Sequence, residues 1–117
     1  MRALGLIRDL FFRSKIDAVA RAIGAEIVYA STLDGALREC AESPPALVLV
    51  DLSGNSAPAS EIAQALRVAA RNARLVGFAS HVDLKALGAA LAAGFDLTLS
   101  REEFTSRLPE LLGSDRH

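Results

Sequence analysis

Five apolar residues run straight into a carboxylate at Ala46-Leu47-Val48-Leu49-Val50-Asp51. Pro44 and Pro45 stand before the run, and Ser53, Gly54, Asn55, Ser56 and Pro58 follow it. An unbroken apolar stretch bounded by turn formers reads as a strand covered on both faces, as in the middle of a parallel sheet. No other stretch constrains the fold as much, because a strand without a polar face needs helices on both sides of its sheet. Asp51 then falls at the carboxyl edge of the sheet, where open α/β folds form their ligand crevice.

The rest of the chain supplies the other layers. Ala3-Leu4-Gly5-Leu6-Ile7 predicts a first strand that ends at Arg8-Asp9. Helical spacing follows from about Leu10 to Ile23, with Phe12, Ile16, Val19, Ala20 and Ile23 on one face and Gly24 as the stop. Glu26 to Ala30 predicts a second strand. Ser31 with Asp34 predicts the cap of a second helix whose inner face is Leu33, Ala36, Leu37 and Cys40, and Pro44-Pro45 ends it. Beyond the central strand, a third helix from about Pro58, placed at N1, to Arg71 turns Ile62, Leu66 and Ala69 or Ala70 inward. Arg74 to Ala79 predicts a fourth strand, Ser80-His81-Val82 a loop and Asp83 a cap. The fourth helix has Leu84, Leu87, Ala90 and Leu91 as its apolar positions and ends at Gly94. Phe95 to Leu99 alternates as an edge strand does. Ser100 with Glu103 spells a capping box for a last helix carrying Phe104, Leu108, Leu111 and Leu112, with Pro109 kinking it or delaying its start. Residues 113 to 117 are expected to fray.

Strands alternating with helices give a parallel sheet, and right-handed crossovers cover both its faces. The expectation is an α/β fold: a doubly wound, five-stranded parallel sheet in the flavodoxin-like order 2-1-3-4-5, forming a single domain over residues 1–117. Asp9 and Asp51 flank the switch point between strands one and three.

Composition narrows the function. A formal net charge of −1 without a basic block argues against a nucleic-acid partner. No apolar run approaches a membrane span, and the start leads directly into a strand without the plan of a signal peptide. The single cysteine, Cys40, lies in a helical pattern and reads as a buried thiol, so the expected compartment is the cytoplasm. His81 reads as a solvated loop residue and His117 as a terminal one. Of the adjacent phenylalanines, Phe12 belongs to the core and Phe11 is expected exposed beside the pocket. The chain spells no G-x-G-x-x-G, no P-loop and no nucleophile–base–orienter set, so no enzyme is expected. Ser53-Gly54-Asn55-Ser56 offers a small anion nest, which keeps a flavodoxin-like nucleotide- or anion-binding protein as an alternative reading.

Three stretches carry a resemblance over nearly the whole chain, from Arg2 to about Leu112. They are Leu6-Ile7-Arg8-Asp9, Leu47-Val48-Leu49-Val50-Asp51 and Ala89-Ala90-Leu91-Ala92-Ala93-Gly94-Phe95-Asp96. In order of units and in these residues the chain resembles the receiver domain of bacterial two-component signalling, the CheY-like response-regulator fold. The resemblance implies Asp51 as the phospho-acceptor position. It implies magnesium held by an acidic pair after strand one. Here that pair reads Arg8-Asp9, which reduces the metal ligands to Asp9 and Asp51 beside a permanent positive charge. The Thr or Ser that ends strand four in the family falls on Ala79, with Ser80 next. The Lys after strand five falls on Ser100, with Arg101 next, and the aromatic switch residue of strand five is replaced by Leu97. Arg8 can pair with Asp51 or Asp9, or face away.

With Ser53, these residues make the expected site lining, and its losses set the expected function. That function is an atypical receiver, a pseudo-receiver, acting in signal transduction as a protein-interaction module with an impaired acceptor site. No cofactor is expected, magnesium being weakly provided for. The partner is another protein, a sensor kinase or an output protein, or a second copy of the chain packed on the small-residue face of helix four (Ala86, Gly88, Ala89, Ala90, Ala92 and Ala93). The alternative within the same fold is a phospho-accepting receiver at Asp51, with Arg8 or Arg101 supplying the charge.

Overall fold

A computed structural model describes residues 2–55, 57–80 and 82–113. The expectations for His81, His117 and Ser56 lie outside the described residues. Five strands and five helices alternate: β1 (Arg2–Leu6), α1 (Leu10–Ile23), β2 (Glu26–Ala30), α2 (Leu33–Glu42), β3 (Leu47–Asp51), α3 (Ala59–Ala69), β4 (Arg74–Ala79), α4 (Leu84–Ala93), β5 (Leu97–Ser100) and α5 (Arg101–Leu112). All four strand pairs are parallel, and the order is β2-β1-β3-β4-β5. The expected doubly wound sheet is borne out.

The apolar run of β3 divides between two cores because successive residues of a strand face opposite sides. Leu47 and Leu49 join Ile7, Phe12, Ile16, Phe78, Phe104 and Leu108 under α1 and α5. Val48 and Val50 join Leu4, Leu6, Cys40, Ile62, Leu66 and Leu75 under α2, α3 and α4. Residues 47 to 51 are all buried, which is why the strand has no polar alternation. The same period of two assigns Asp51 to the α1–α5 side. On that side Phe78 and Phe104 stack with ring centroids 4.2 Å apart, and Phe12 leans on both at 5.3 and 5.9 Å.

Local chemistry sets the element ends. Gly24 and Gly94 close α1 and α4 with φ of 76° and 114°, values that favour glycine. Asp83 caps α4 through Ala86 N–H, and the Ser100–Glu103 capping box opens α5 as expected. Glu103 is held below its ordinary carboxylate value by the hydrogen bond from Ser100 N–H. On the β1–β2 side, Tyr29 Oη donates to Asp17 Oδ1 at 2.8 Å under the guanidinium of Arg13.

Several expectations need correction. The cap of α2 is Thr32, whose Oγ1 accepts from Gly35 N–H at 3.0 Å, and not Ser31. Pro58 is the N-cap of α3 rather than N1. β5 starts at Leu97, because Asp96 Oδ2 accepts from Leu75 N–H at 2.8 Å and from Arg67 at 2.8 Å, which holds this residue as a corner. In α4 only Ala90 is buried, while Leu84 and Leu91 are exposed. Pro109 lies inside α5, which runs unbroken from Arg101, so it does not delay the start.

Candidate functional site

Asp51 ends β3 at the switch point and is buried, with 4% of its surface exposed. The chain turns sharply after it, and the turn folds its N–H groups back onto the carboxylate. Ser53 and Gly54 N–H donate to Asp51 Oδ1 at 3.1 and 3.2 Å, and Asn55 Nδ2 donates to the Asp51 carbonyl. Gly54 leaves room for this closure, since a Cβ there would stand 3.1 Å from Asp51 Oδ2, a tight contact. The expected anion nest is therefore corrected: two of its N–H groups already serve the chain's own carboxylate.

The second carboxylate oxygen meets a guanidinium. Arg101 Nη2 lies 3.6 Å from Asp51 Oδ2. The Arg101 side chain is fixed from below by aromatic rings, with its guanidinium carbon 5.2 Å from the Phe12 centroid and 6.0 Å from that of Phe78. Such contacts hold a cation by the ring quadrupole. Ser100, one residue earlier, turns its hydroxyl oxygen to the helix start, where it accepts from Glu103 N–H at 3.1 Å. The capping box thus orients Ser100 toward its helix, and Arg101, at the first helical position, lies beside Asp51.

Arg8 and Asp9 lie on the other side of the switch point, and both are exposed. Asp9 is the N-cap of α1, its Oδ1 accepting from Phe11 and Phe12 N–H at 3.0 and 3.1 Å. Among the described residues the arginine paired with Asp51 is Arg101, and no ion pair of Arg8 with Asp51 or Asp9 is found among them. Ala79 is fully buried and contributes a methyl group, and Ser80 Oγ receives Val82 N–H at 3.5 Å. Asp51, Arg101, Ser53, Ser80 and Asp9 thus gather at one edge, while Ser100, Ala79 and Arg8 do not present polar groups to Asp51.

A magnesium ion, which the resemblance implies, is poorly matched by these residues. Magnesium requires a near-octahedral set of oxygens. Asp51 meets two N–H groups on one oxygen and a guanidinium at the other. Asp9 is committed to a helix cap, and among the described residues no group of three His, Cys, Asp or Glu could hold a metal.

Beside Asp9, Ser53, Ser80 and Arg101 a cleft of about 830 Å³ opens between α1 and α5. It includes Phe11, exposed beside the pocket as expected, and brings in Lys15, Glu102, Thr105 and Ser106, which the sequence alone does not place at the site. Helical spacing could have found some of them: Lys15 is one turn beyond Phe11, and Thr105 one turn beyond Arg101.

No protein-family model matches the sequence, and no curated protein matches it. Solved structures do match in fold. A response regulator from Hahella chejuensis superposes with a TM-score of 0.82 at 16% identity, covering 96% of this chain and 92% of that one. A chemotaxis response regulator from Vibrio cholerae gives a TM-score of 0.80 at 14% identity, with 97% and 96% covered. The receiver domain of a sensor histidine kinase from Pseudomonas aeruginosa PAO1, which has a magnesium ion coordinated in its active-site cleft, gives 0.76 at 15%, with 96% and 97% covered. The chain has the CheY-like fold of response-regulator receiver domains. Among the described residues no helix is long and apolar enough to cross a membrane.

Proposed function

We propose that the protein is a receiver-like module of signal transduction that works by binding another protein, with its acceptor aspartate neutralised internally. One observation carries this reading: the Asp51 carboxylate is already satisfied by Ser53 N–H, Gly54 N–H and the Arg101 guanidinium. Phosphoryl transfer needs positive charge gathered around the oxygens that develop charge, supplied by groups free to meet them. Here the Arg101 guanidinium is paired with the acceptor itself. The fold and the position of Asp51 at the end of β3 support a signalling ancestry. The partner in this reading is a sensor kinase, an output protein or a second copy of the chain.

The test is incubation with acetyl phosphate and magnesium, followed by phosphate-affinity electrophoresis and intact mass. The expected result is no labelling above that of Asp51→Ala. Labelling of the wild type that Asp51→Ala abolishes would instead establish the phospho-accepting receiver and overturn the neutralised site.

A further inference from the structure

We infer that the cleft between α1 and α5 is a binding site for a small, flat organic anion, a compound with an aromatic or other planar apolar body and one carboxylate, sulfonate or phosphate. The cleft measures about 830 Å³, within the size range of small-molecule sites. Its two cations each lie against a ring. Lys15 Nζ stands 5.3 Å from the Phe11 centroid and the Arg101 guanidinium carbon 5.2 Å from that of Phe12. This pairing of charge with aromatic surface fits a ligand that combines the same two properties. A bare inorganic anion would leave the exposed Phe11 ring uncovered, and an uncharged arene would leave the Lys15 ammonium without a counter-charge.

The rest of the lining is mixed in charge. Phe11 is 70% exposed, apolar surface that a planar ligand would remove from water. Asp9 lines the same cleft but turns Oδ1 onto the Phe11 and Phe12 N–H groups, and Glu102 lies on the first turn of α5. Arg101 meets Asp51 through Nη2, and 40% of its side chain is exposed. Arg101 can therefore hold Asp51 at one corner and a bound anion at another. The inference does not depend on the signalling reading, because it rests on the cleft and its cations alone.

The experiment is a fluorescence titration of the full chain with 8-anilinonaphthalene-1-sulfonate, an aromatic sulfonate. Lys15→Glu and Phe11→Ser serve as variants, and N-phenyl-1-naphthylamine as the uncharged analogue. Both substituted side chains are exposed, so the variants should melt as the wild type does. Saturable one-site binding is expected, about tenfold weaker in each variant and for the uncharged analogue, the size of one lost charge-assisted or apolar contact. Inorganic phosphate should not compete. Amide NMR shifts should cluster at Phe11, Lys15, Arg101 and Thr105, which locates the site even if a variant fails to fold. The inference is overturned by an absence of saturable binding, by equal affinity for the uncharged analogue, by competition from phosphate, or by shifts confined to another face.

Discussion

Asp96 at the amino edge of the sheet and Asp51 at its carboxyl edge are held by the same kinds of partner: backbone N–H groups and one arginine. At the amino edge the arrangement closes completely. Asp96 Oδ2 takes Leu75 N–H and Arg67 Nη2, both at 2.8 Å, and Arg67 also donates to the carbonyls of Ala73 and Gly94 at 3.1 and 2.9 Å. The guanidinium is thus tied to α3's exit, the α4 stop and the start of β5. At the carboxyl edge the ion pair is longer, 3.6 Å, its aspartate is buried, and the Arg101 side chain, 40% exposed, also lines the cleft between α1 and α5. The first arrangement is a joint between backbone segments. The second leaves donor capacity facing a cleft, and that difference separates an architectural carboxylate from one at a candidate site.

Removing the floor beneath Arg101 gives the largest expected effect on this contrast. Phe78→Ala should cost about 3–5 kcal/mol, since Phe78 is fully buried and stacked on Phe104. Urea denaturation measures it, and a loss below about 1 kcal/mol would mean that the aromatic layer does not support the carboxyl edge. Asp51→Ala should cost less, about 1–3 kcal/mol, because Ser53 and Gly54 N–H lose their acceptor. The sign matters here: a gain in stability would mean that the carboxylate is repelled in its site, and the likeness to Asp96 would fail. Asp96→Asn should cost least, about 1 kcal/mol or below, the pair being partly exposed and screened.

The Asp96 position also has an acid signature. Partial burial raises its carboxyl, but the Leu75 N–H and the Arg67 guanidinium outweigh this and hold it below the ordinary value. A carboxyl lowered on folding contributes stability that is complete above the ordinary carboxylate range and is lost as pH falls through the depressed value. The gap between wild type and Asp96→Asn in urea midpoints should therefore be widest near neutrality and close in acid. A gap that widens in acid would contradict the hydrogen-bond assignment.

The layers of this molecule were legible because burial on two faces leaves a local mark. The runs at Leu4 and Leu47 to Val50, the stops at Gly24 and Gly94, and the Ser100–Glu103 box each depend on neighbours in sequence. The reading failed where the signal was not local. Helix α4 is apolar on several sides, so Leu84 and Leu91 carry no directional periodicity, and both proved exposed. Ser31 and Thr32 are adjacent and both suit a cap, so chemistry alone could not choose between them. The carboxyl-edge residues could be named because the topology gathers strand ends. Which arginine meets Asp51 could not, because it depends on how α5 packs its first residue, Arg101, over Phe12 and Phe78. The Arg67–Asp96 joint spans 29 positions and leaves no pattern in the chain.

Tyr29 has a consequence for how this molecule can be watched. The sequence contains one tyrosine and no tryptophan, so the intrinsic emission of the protein comes from the β1–β2 side. The phenol there donates to Asp17 and to the Arg13 carbonyl. Burial first, and then the Asp17 carboxylate, push its ionisation above the ordinary phenol value. Its light therefore reports the docking of α1 on β2, while events at the cleft and at Asp51 are optically silent unless a reporter is brought to them.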